Sequence, residues 1–258
     1  MTETALITGA SSGIGRDLAT IHAQNGRDLI VVARRKEKLD KLKGLLEKEY
    51  PVKVKVIAKD LTAENACRDI FEEVSNEGIE VDYLINNAGF GGHGKFHEQD
   101  MDYQQSMIDL NINALTKLTR LFLPAMVQRN NGRILQVAST AGLVPGPLQA
   151  VYFATKAYVV SLSQAIAEEV SDTNVTCTAL CPGATDSEFM ERANLQDTNM
   201  VKAGLTSSRK VAEKGYKAMM KGKLIEITDF QLKLTLDWAV PLMPRKMVLK
   251  TVRKSQEK

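Results

Sequence analysis

Thr8-Gly9-Ala10-Ser11-Ser12-Gly13-Ile14-Gly15 is the stretch whose reading decides the fold. A short apolar run, residues 5–8, ends on it, and a helical pattern over residues 16–24 begins directly after it. Glycines placed this way let the backbone turn tightly and let a ligand approach with no Cβ in its path. The helix that follows presents unpaired N–H groups and the positive end of its dipole, which together suit a pyrophosphate. Gly15 also permits close packing of helix against sheet. The spacing is G-x-x-x-G-x-G, distinct from the commoner G-x-G-x-x-G.

Further apolar runs lie at residues 28–33 (DLIVVA), 52–58, 81–86, 132–138, 175–180 and 223–227. Between them, apolar residues recur at helical spacing, as in Leu39, Leu42 and Leu46 or Ile108, Leu115, Leu118 and Leu121. Strands separated by helices pair in parallel through right-handed crossovers. A parallel sheet is covered on both faces, so its strands read as nearly continuous apolar runs, as several do here. The pattern predicts one doubly wound α/β domain over residues 1–258, with helices on both faces of the sheet. No internal repeat, low-complexity segment or linker marks a second domain.

Composition narrows the function. The chain has 44% apolar and 25% charged residues, which argues against disorder. With 34 basic and 31 acidic residues the net charge is +3, too weak to point to nucleic acid. Cys67, Cys177 and Cys181 have no metal spacing with histidine and read as buried thiols in a reducing compartment. The first residues lead straight into a strand without a basic, signal-like segment, so a cytoplasmic location is expected. No apolar run approaches the roughly 20 residues of a membrane span.

About 20 residues beyond the glycine turn, an acidic residue at the end of the second strand would favour a ribose with a free 2′-hydroxyl. This chain has Ala33-Arg34-Arg35 there. A guanidinium offers a planar fork to a 2′-phosphate that a carboxylate would repel. NADP(H) is therefore the expected cofactor, with Arg34 the main contact and Arg35 the weaker one.

Farther along, Asn86-Asn87-Ala88-Gly89 closes the fourth strand, Asn111 sits in a long helical segment, and Ser139 follows the fifth strand. Tyr152 and Lys156 are four residues apart, on one face of a helix. In this order behind a nucleotide turn, the set resembles the short-chain dehydrogenase/reductase family, in its branch of roughly 250-residue enzymes. The resemblance runs from Thr8 to Cys181-Pro182-Gly183. It implies a Rossmann-type, seven-stranded sheet of order 3-2-1-4-5-6-7 and a tetrad of Asn111, Ser139, Tyr152 and Lys156. Gly9, Ser11, Ser12, Gly13, Ile14 and Gly15 would then hold the pyrophosphate. Asp60 and Leu61 would flank the adenine, and Asn87, Ala88 and Gly89 would lie beside the adenosine ribose. Pro182 and Gly183, with Ser187 where the family usually has threonine, would cover the nicotinamide.

The implied reaction moves a hydride between nicotinamide and a carbonyl or alcohol. Charge builds on the substrate oxygen, which needs a proton donor. Tyr152 suits that task if Lys156 stabilises its phenolate while also bonding the nicotinamide ribose. Ser139 would orient the substrate oxygen, and Asn111 would link Lys156 to solvent through a water. No metal is called for. His93 and His97 read as solvent-facing loop residues. The run Gly142-Leu143-Val144-Pro145-Gly146-Pro147 and the paired arginines further resemble an NADP-dependent subgroup labelled DltE-like or estradiol dehydrogenase-like. Two other readings stay open: a nucleotide-binding regulatory protein of the same fold, and an epimerase or dehydratase with a retained cofactor.

Substrate choice in such a fold belongs to loops at the C-terminal edge of the sheet. Residues 188–205, with Met190, Leu195, Met200, Val201 and Leu205, read as a lid or an ordinary pair of surface helices. Residues 230–258 form an amphipathic, basic extension interrupted by Pro241 and Pro244. It is expected to dock on the protein or on a partner in a homodimer or homotetramer, in preference to a membrane surface.

Overall fold

Ala5, Leu6 and Ile7 in one run, and Leu29 to Val32 in another, are shielded from solvent whichever way their side chains point. Leu6 and Ile30 join one apolar cluster while Ile7 and Val31 join another, the two-residue alternation of a sheet covered on both faces. In the computed structural model, which describes residues 2–258, seven strands make this sheet. They are β1 (Thr4–Thr8), β2 (Asp28–Ala33), β3 (Val54–Ala58), β4 (Tyr83–Asn86), β5 (Gly132–Val137), β6 (Val175–Cys181) and β7 (Ile225–Ile227). All pair in parallel in the order 3-2-1-4-5-6-7.

Helices α1 (Gly13–Gln24) and α2 (Lys36–Glu49) cover one face, and α3 (Ala66–Asn76) the other. Helix α4 (Met101–Ile108) passes through a π-helical turn, Asp109–Ala114, into α5 (Leu115–Arg129). Next come α6 (Ala150–Glu169), α7 (Glu188–Arg192), α8 (Asn199–Lys202) and α9 (Ser208–Met220). The crossing between β1 and β4 leaves a crevice outside the strand ends, the usual ligand site of an open α/β sheet. Helix α1 starts three residues before its apolar pattern does, because Gly13 to Gly15 already form its first turn.

The last segment comprises α10 (Phe230–Leu234), a π-helical turn Thr235–Ala239, α11 (Val240–Leu242) and α12 (Arg245–Gln256). Pro241 and Pro244 stand at the starts of α11 and α12, where proline costs no internal hydrogen bond. Helix α12 docks on the protein as expected, burying Val248 and Gln256. Trp238 and Leu242 do not: they stand in solvent. Of the extension expected to dock on the protein or on a partner subunit, α12 is thus a part that packs on this chain.

One buried histidine gives the fold a pH dependence. His22 on α1 lies edge-on between the rings of Tyr83 and Tyr216, with Nδ1 3.0 Å from the Tyr216 hydroxyl. Burial, and then the Arg27 charge, lower its pKa from 6.5 to about 3. Between those values the unfolded histidine holds a proton that the folded one does not, so stability rises with pH across that window. It is lost on acidification by up to about 1.4 kcal/mol per pH unit. Tm is therefore expected to drop between pH 6.5 and 4 and to drop less steeply in His22→Gln. An equal slope in both proteins would show that other groups carry the acid sensitivity.

Candidate active site

The glycine turn is sewn to the loop after β4. The Thr8 hydroxyl accepts from the backbone N–H groups of Asn87 and Ala88, each at 3.0 Å, and Asn87 Nδ2 donates to the carbonyls of Thr8 (2.9 Å) and Gly9 (3.3 Å). A Cβ on Gly15 would sit 2.4 Å from both Asn87 Nδ2 and the Gly9 carbonyl oxygen, a contact no side chain tolerates. The turn needs glycine there for close packing, and the first N–H groups of α1 open towards the crevice. This cradle fits the pyrophosphate of a dinucleotide.

Arg34 and Arg35 lie on the rim beside it, with Asp60 and Leu61. Arg34 pairs with Asp60 at 3.6 Å, and Asp60 in turn accepts from the Thr62 N–H and hydroxyl. Arg35 Nη2 donates to the hydroxyls of both Ser11 and Ser12 at 3.0 Å, and its Nη1 lies 2.7 Å from Glu188 of α7. Arg35, expected to be the weaker contact, reaches onto the glycine loop. Lys38 and Arg35 hold the Glu188 carboxyl down at about 2, so it is ionised and spans the rim from the 188–205 segment.

Ser139, Tyr152, Lys156 and Asn111 are all buried, and the first three line the same cavity. Ser139 caps a short 3-10 turn, Thr140–Leu143: its Oγ accepts from the Ala141 N–H at 3.1 Å and donates to the Pro182 carbonyl at 3.4 Å, close enough to Tyr152 to influence its titration. Lys156 Nζ donates to the Val137 carbonyl at 2.7 Å and lies 5.8 Å from the centre of the Tyr152 ring. Burial dominates the titration of both groups. It pushes Tyr152 up to about 12, opposed in part by the neighbouring Ser139 hydroxyl, and brings Lys156 down to about 8. Burial thus favours the phenol form of Tyr152.

Asn111 occupies the π-helical turn between α4 and α5, a distortion that recurs at functional sites. Its amide exchanges two hydrogen bonds with the backbone of Phe90 (3.1 and 2.9 Å) and donates to Thr155 Oγ1 at 3.1 Å. It therefore clamps the Asn87–Phe90 loop to α6 one residue before Lys156. A Cβ on Gly89 would approach Asn111 Oδ1 to 3.0 Å and Lys156 Nζ to 3.5 Å, so these groups share one small space.

Above this floor the cavity, about 1460 Å³ in all, has apolar walls that include Phe90, Val144, Phe153, Phe189, Leu232 and Val252. Phe189 stacks obliquely on Tyr152 with ring centres 5.3 Å apart. The 188–205 segment lines the cavity through α7 and α8, and the C-terminal segment forms the opposite wall. Gln256 is the knot between these parts. Its carbonyl bonds His93 Nε2 at 2.7 Å, its side chain meets Gln149, and the Glu257 carbonyl beside it accepts from the Asn199 N–H at 2.9 Å. His93 is thus half-buried and tied to the C-terminal segment, while His97 is exposed. Phe90 follows directly on Asn86-Asn87-Ala88-Gly89 and was findable on that ground; nothing local in the sequence marks Gln256.

Comparison with known proteins bears on this geometry. Residues 3–198 match the short chain dehydrogenase family. The human very-long-chain 3-oxoacyl-CoA reductase is 32% identical over 188 residues, 70% of this chain; the match spans only 58% of that longer protein. A short-chain dehydrogenase from Sphingobium yanoikuyae, solved with NADPH, superposes with a TM-score of 0.85 at 30% identity, covering 99% of this chain and 98% of that one. The bulky-bulky ketone specific alcohol dehydrogenase from Comamonas testosteroni superposes with a TM-score of 0.78 at 28% identity, covering 94% and 95%. A family match over three-quarters of the sequence, and a sheet and crevice shared with a relative along nearly its whole length, lead to one conclusion: this chain belongs to the short chain dehydrogenase family of oxidoreductases.

Proposed function

We propose that the protein is an NADP(H)-dependent oxidoreductase that interconverts a ketone and an alcohol on a bulky apolar molecule, with Tyr152 as proton donor and acceptor. The observation that carries this reading is the joint burial of Ser139, Tyr152 and Lys156, the last two one helical turn apart, at the floor of an apolar cavity beside the glycine turn. When bound, a nicotinamide cofactor supplies or takes the hydride. Residues Gly9 to Gly15 hold its pyrophosphate, Asp60, Leu61 and Asn87 to Gly89 its adenosine half, and Pro182 and Gly183 its nicotinamide half. Arg34 and Arg35 take the 2′-phosphate.

The chain's own residues then account for the proton. A carbonyl oxygen seated between Ser139 Oγ and the Tyr152 hydroxyl gains negative charge as its carbon is reduced, and Tyr152 passes its proton to that oxygen. A tyrosine kept protonated by burial is ready as an acid at neutral pH. The Lys156 ammonium stabilises the phenolate left behind. Asn111 is a positioning residue that fixes the Phe90 loop against α6. Alcohol oxidation runs the same transfer backwards.

Burial of aromatic and aliphatic side chains around the floor favours large apolar substrates over sugars. The two relatives whose names carry a very-long-chain acyl group and a bulky ketone support the same class. The test is a screen of NADPH and NADH oxidation with steroid and aryl ketones, 3-oxoacyl thioesters, small aldehydes and ketoses. Turnover with NADPH on the bulky ketones or thioesters is expected. Tight NADPH binding without turnover on any of them would favour the nucleotide-binding regulatory protein instead.

A further inference from the structure

The segment from Phe230 to Met243 is apolar on two sides. Inward, Leu232, Leu236, Val240 and Met243 line the cavity, and Leu232 lies directly over Gly183, where a Cβ would come within 2.9 Å of it. Outward, Phe230 is 71% exposed, Trp238 72% and Leu242 87%, with Leu234 between them also in solvent. These four follow one another at intervals of four residues. The π-helical turn Thr235–Ala239 winds more slowly than an α-helix, so a four-residue repeat drifts less there and the outward side chains stay in one file. A helix with apolar residues on two opposite sides normally has both of them covered. Here the protein covers only the inner side.

The charges around this file identify what covers the other side. Residues 230–258 carry seven lysines and arginines against two acids, Asp237 and Glu257, in a chain whose total is only +3; the remainder of the protein is net acidic. Lys246 and Lys250 of α12 are exposed beside Met247 and Leu249, which are exposed as well. A second copy docked face to face would bring two such basic segments together, at an electrostatic cost. An anionic bilayer complements both features: basic side chains meet its headgroups, and tryptophan, phenylalanine and leucine enter the boundary below them. No helix among the described residues is long and apolar enough to cross a membrane.

We propose that the outer face of residues 230–242, framed by the basic helix α12, docks the protein on an anionic lipid surface and sets the mouth of the cavity against the bilayer. The same short helix is cavity wall on one side and membrane contact on the other. An apolar ketone dissolved in the lipid would then reach Tyr152 by passing under it. Only this last step rests on the substrate class proposed above; the docking itself does not.

Trp238 is the sole tryptophan of the chain, so its fluorescence reports on this face alone. The experiment mixes the full-length protein with vesicles of phosphatidylcholine and phosphatidylglycerol in equal parts, or of phosphatidylcholine alone. Emission and co-sedimentation are followed without cofactor or substrate. With anionic vesicles, Trp238 emission is expected to shift to the blue and to be quenched by brominated acyl chains; high salt should weaken the effect. Phe230→Ser with Leu242→Ser should reduce partitioning by about tenfold or more, and Lys246→Glu with Lys250→Glu should reduce it by about tenfold. Both double variants should keep wild-type Tm and NADPH affinity. Absence of both shift and co-sedimentation would overturn the proposal. So would emission already blue in lipid-free protein together with a dimer that Leu242→Ser dissociates, since a second copy then covers the face.

Discussion

Tyr152→Phe is expected to lower kcat by about a hundredfold or more on any substrate the wild type turns over, the usual cost of losing a general acid. Binding of NADPH and Tm should stay near wild type. The ring that phenylalanine retains still packs against Phe153 and Phe189. The Ser139 hydroxyl keeps the Ala141 N–H and a long contact to the Pro182 carbonyl. The pH profile separates the proton donor from its neighbour. Lys156, brought down to about 8 by burial, is a cation below that pH and neutral above it. On the proposed mechanism, loss of that charge removes the stabilisation of the phenolate left on Tyr152, so carbonyl reduction should slow as pH rises through about 8. Kinetics of Tyr152→Phe within a few-fold of wild type would remove this tyrosine from the mechanism.

The second large effect is on cofactor choice. Arg35→Ala should weaken NADPH binding by about 10- to 100-fold, because a charge-assisted hydrogen bond to phosphate contributes roughly 1.5–3 kcal/mol. NADH, which lacks the 2′-phosphate, should be nearly unaffected. Arg34→Ala should act in the same direction, and Ala33→Asp should add repulsion to either. The structure supplies a further arm. Glu188 sits 2.7 Å from Arg35 and 2.6 Å from Lys38 and competes with a phosphate for the same cations. Glu188→Gln should therefore tighten NADPH and leave NADH alone. Isothermal titration of both cofactors against all four variants decides the matter. Equal losses for NADPH and NADH in Arg35→Ala would mean that the arginine only braces Ser11 and Ser12, and preference of the wild type for NADH would refute the phosphate assignment outright.

Much of this architecture was written locally. The two-residue alternation of β-branched and aliphatic residues specifies strands wherever both faces are covered, and β2 begins and ends where its apolar run does. The glycine turn is legible from its own residues and the helix after it, although Asn87 of a distant loop completes its packing. Tyr152 and Lys156 share a face because four residues make one helical turn. Such features depend on neighbours in sequence, and the order of the motifs carried the family.

What the sequence could not decide depends on residues that meet only after folding. Arg35 looks like the first turn of a solvated helix until residues 11 and 12 fold back beneath it. The amide of Asn111 finds Phe90 and Thr155 through a widened helical turn that no spacing announces. Lys156 loses basicity, and Tyr152 acidity, through desolvation, which is a property of everything packed around them and of no single neighbour. Gln256 gains its role only because Gln149 and His93, more than a hundred residues earlier, arrive beside it. The C-terminal segment reads as amphipathic and basic with more apolar residues than one face needs, so only the tertiary structure decides which of them line the cavity and which are left to solvent: apolar periodicity states how much surface must be covered, and the packing of distant elements determines what covers it.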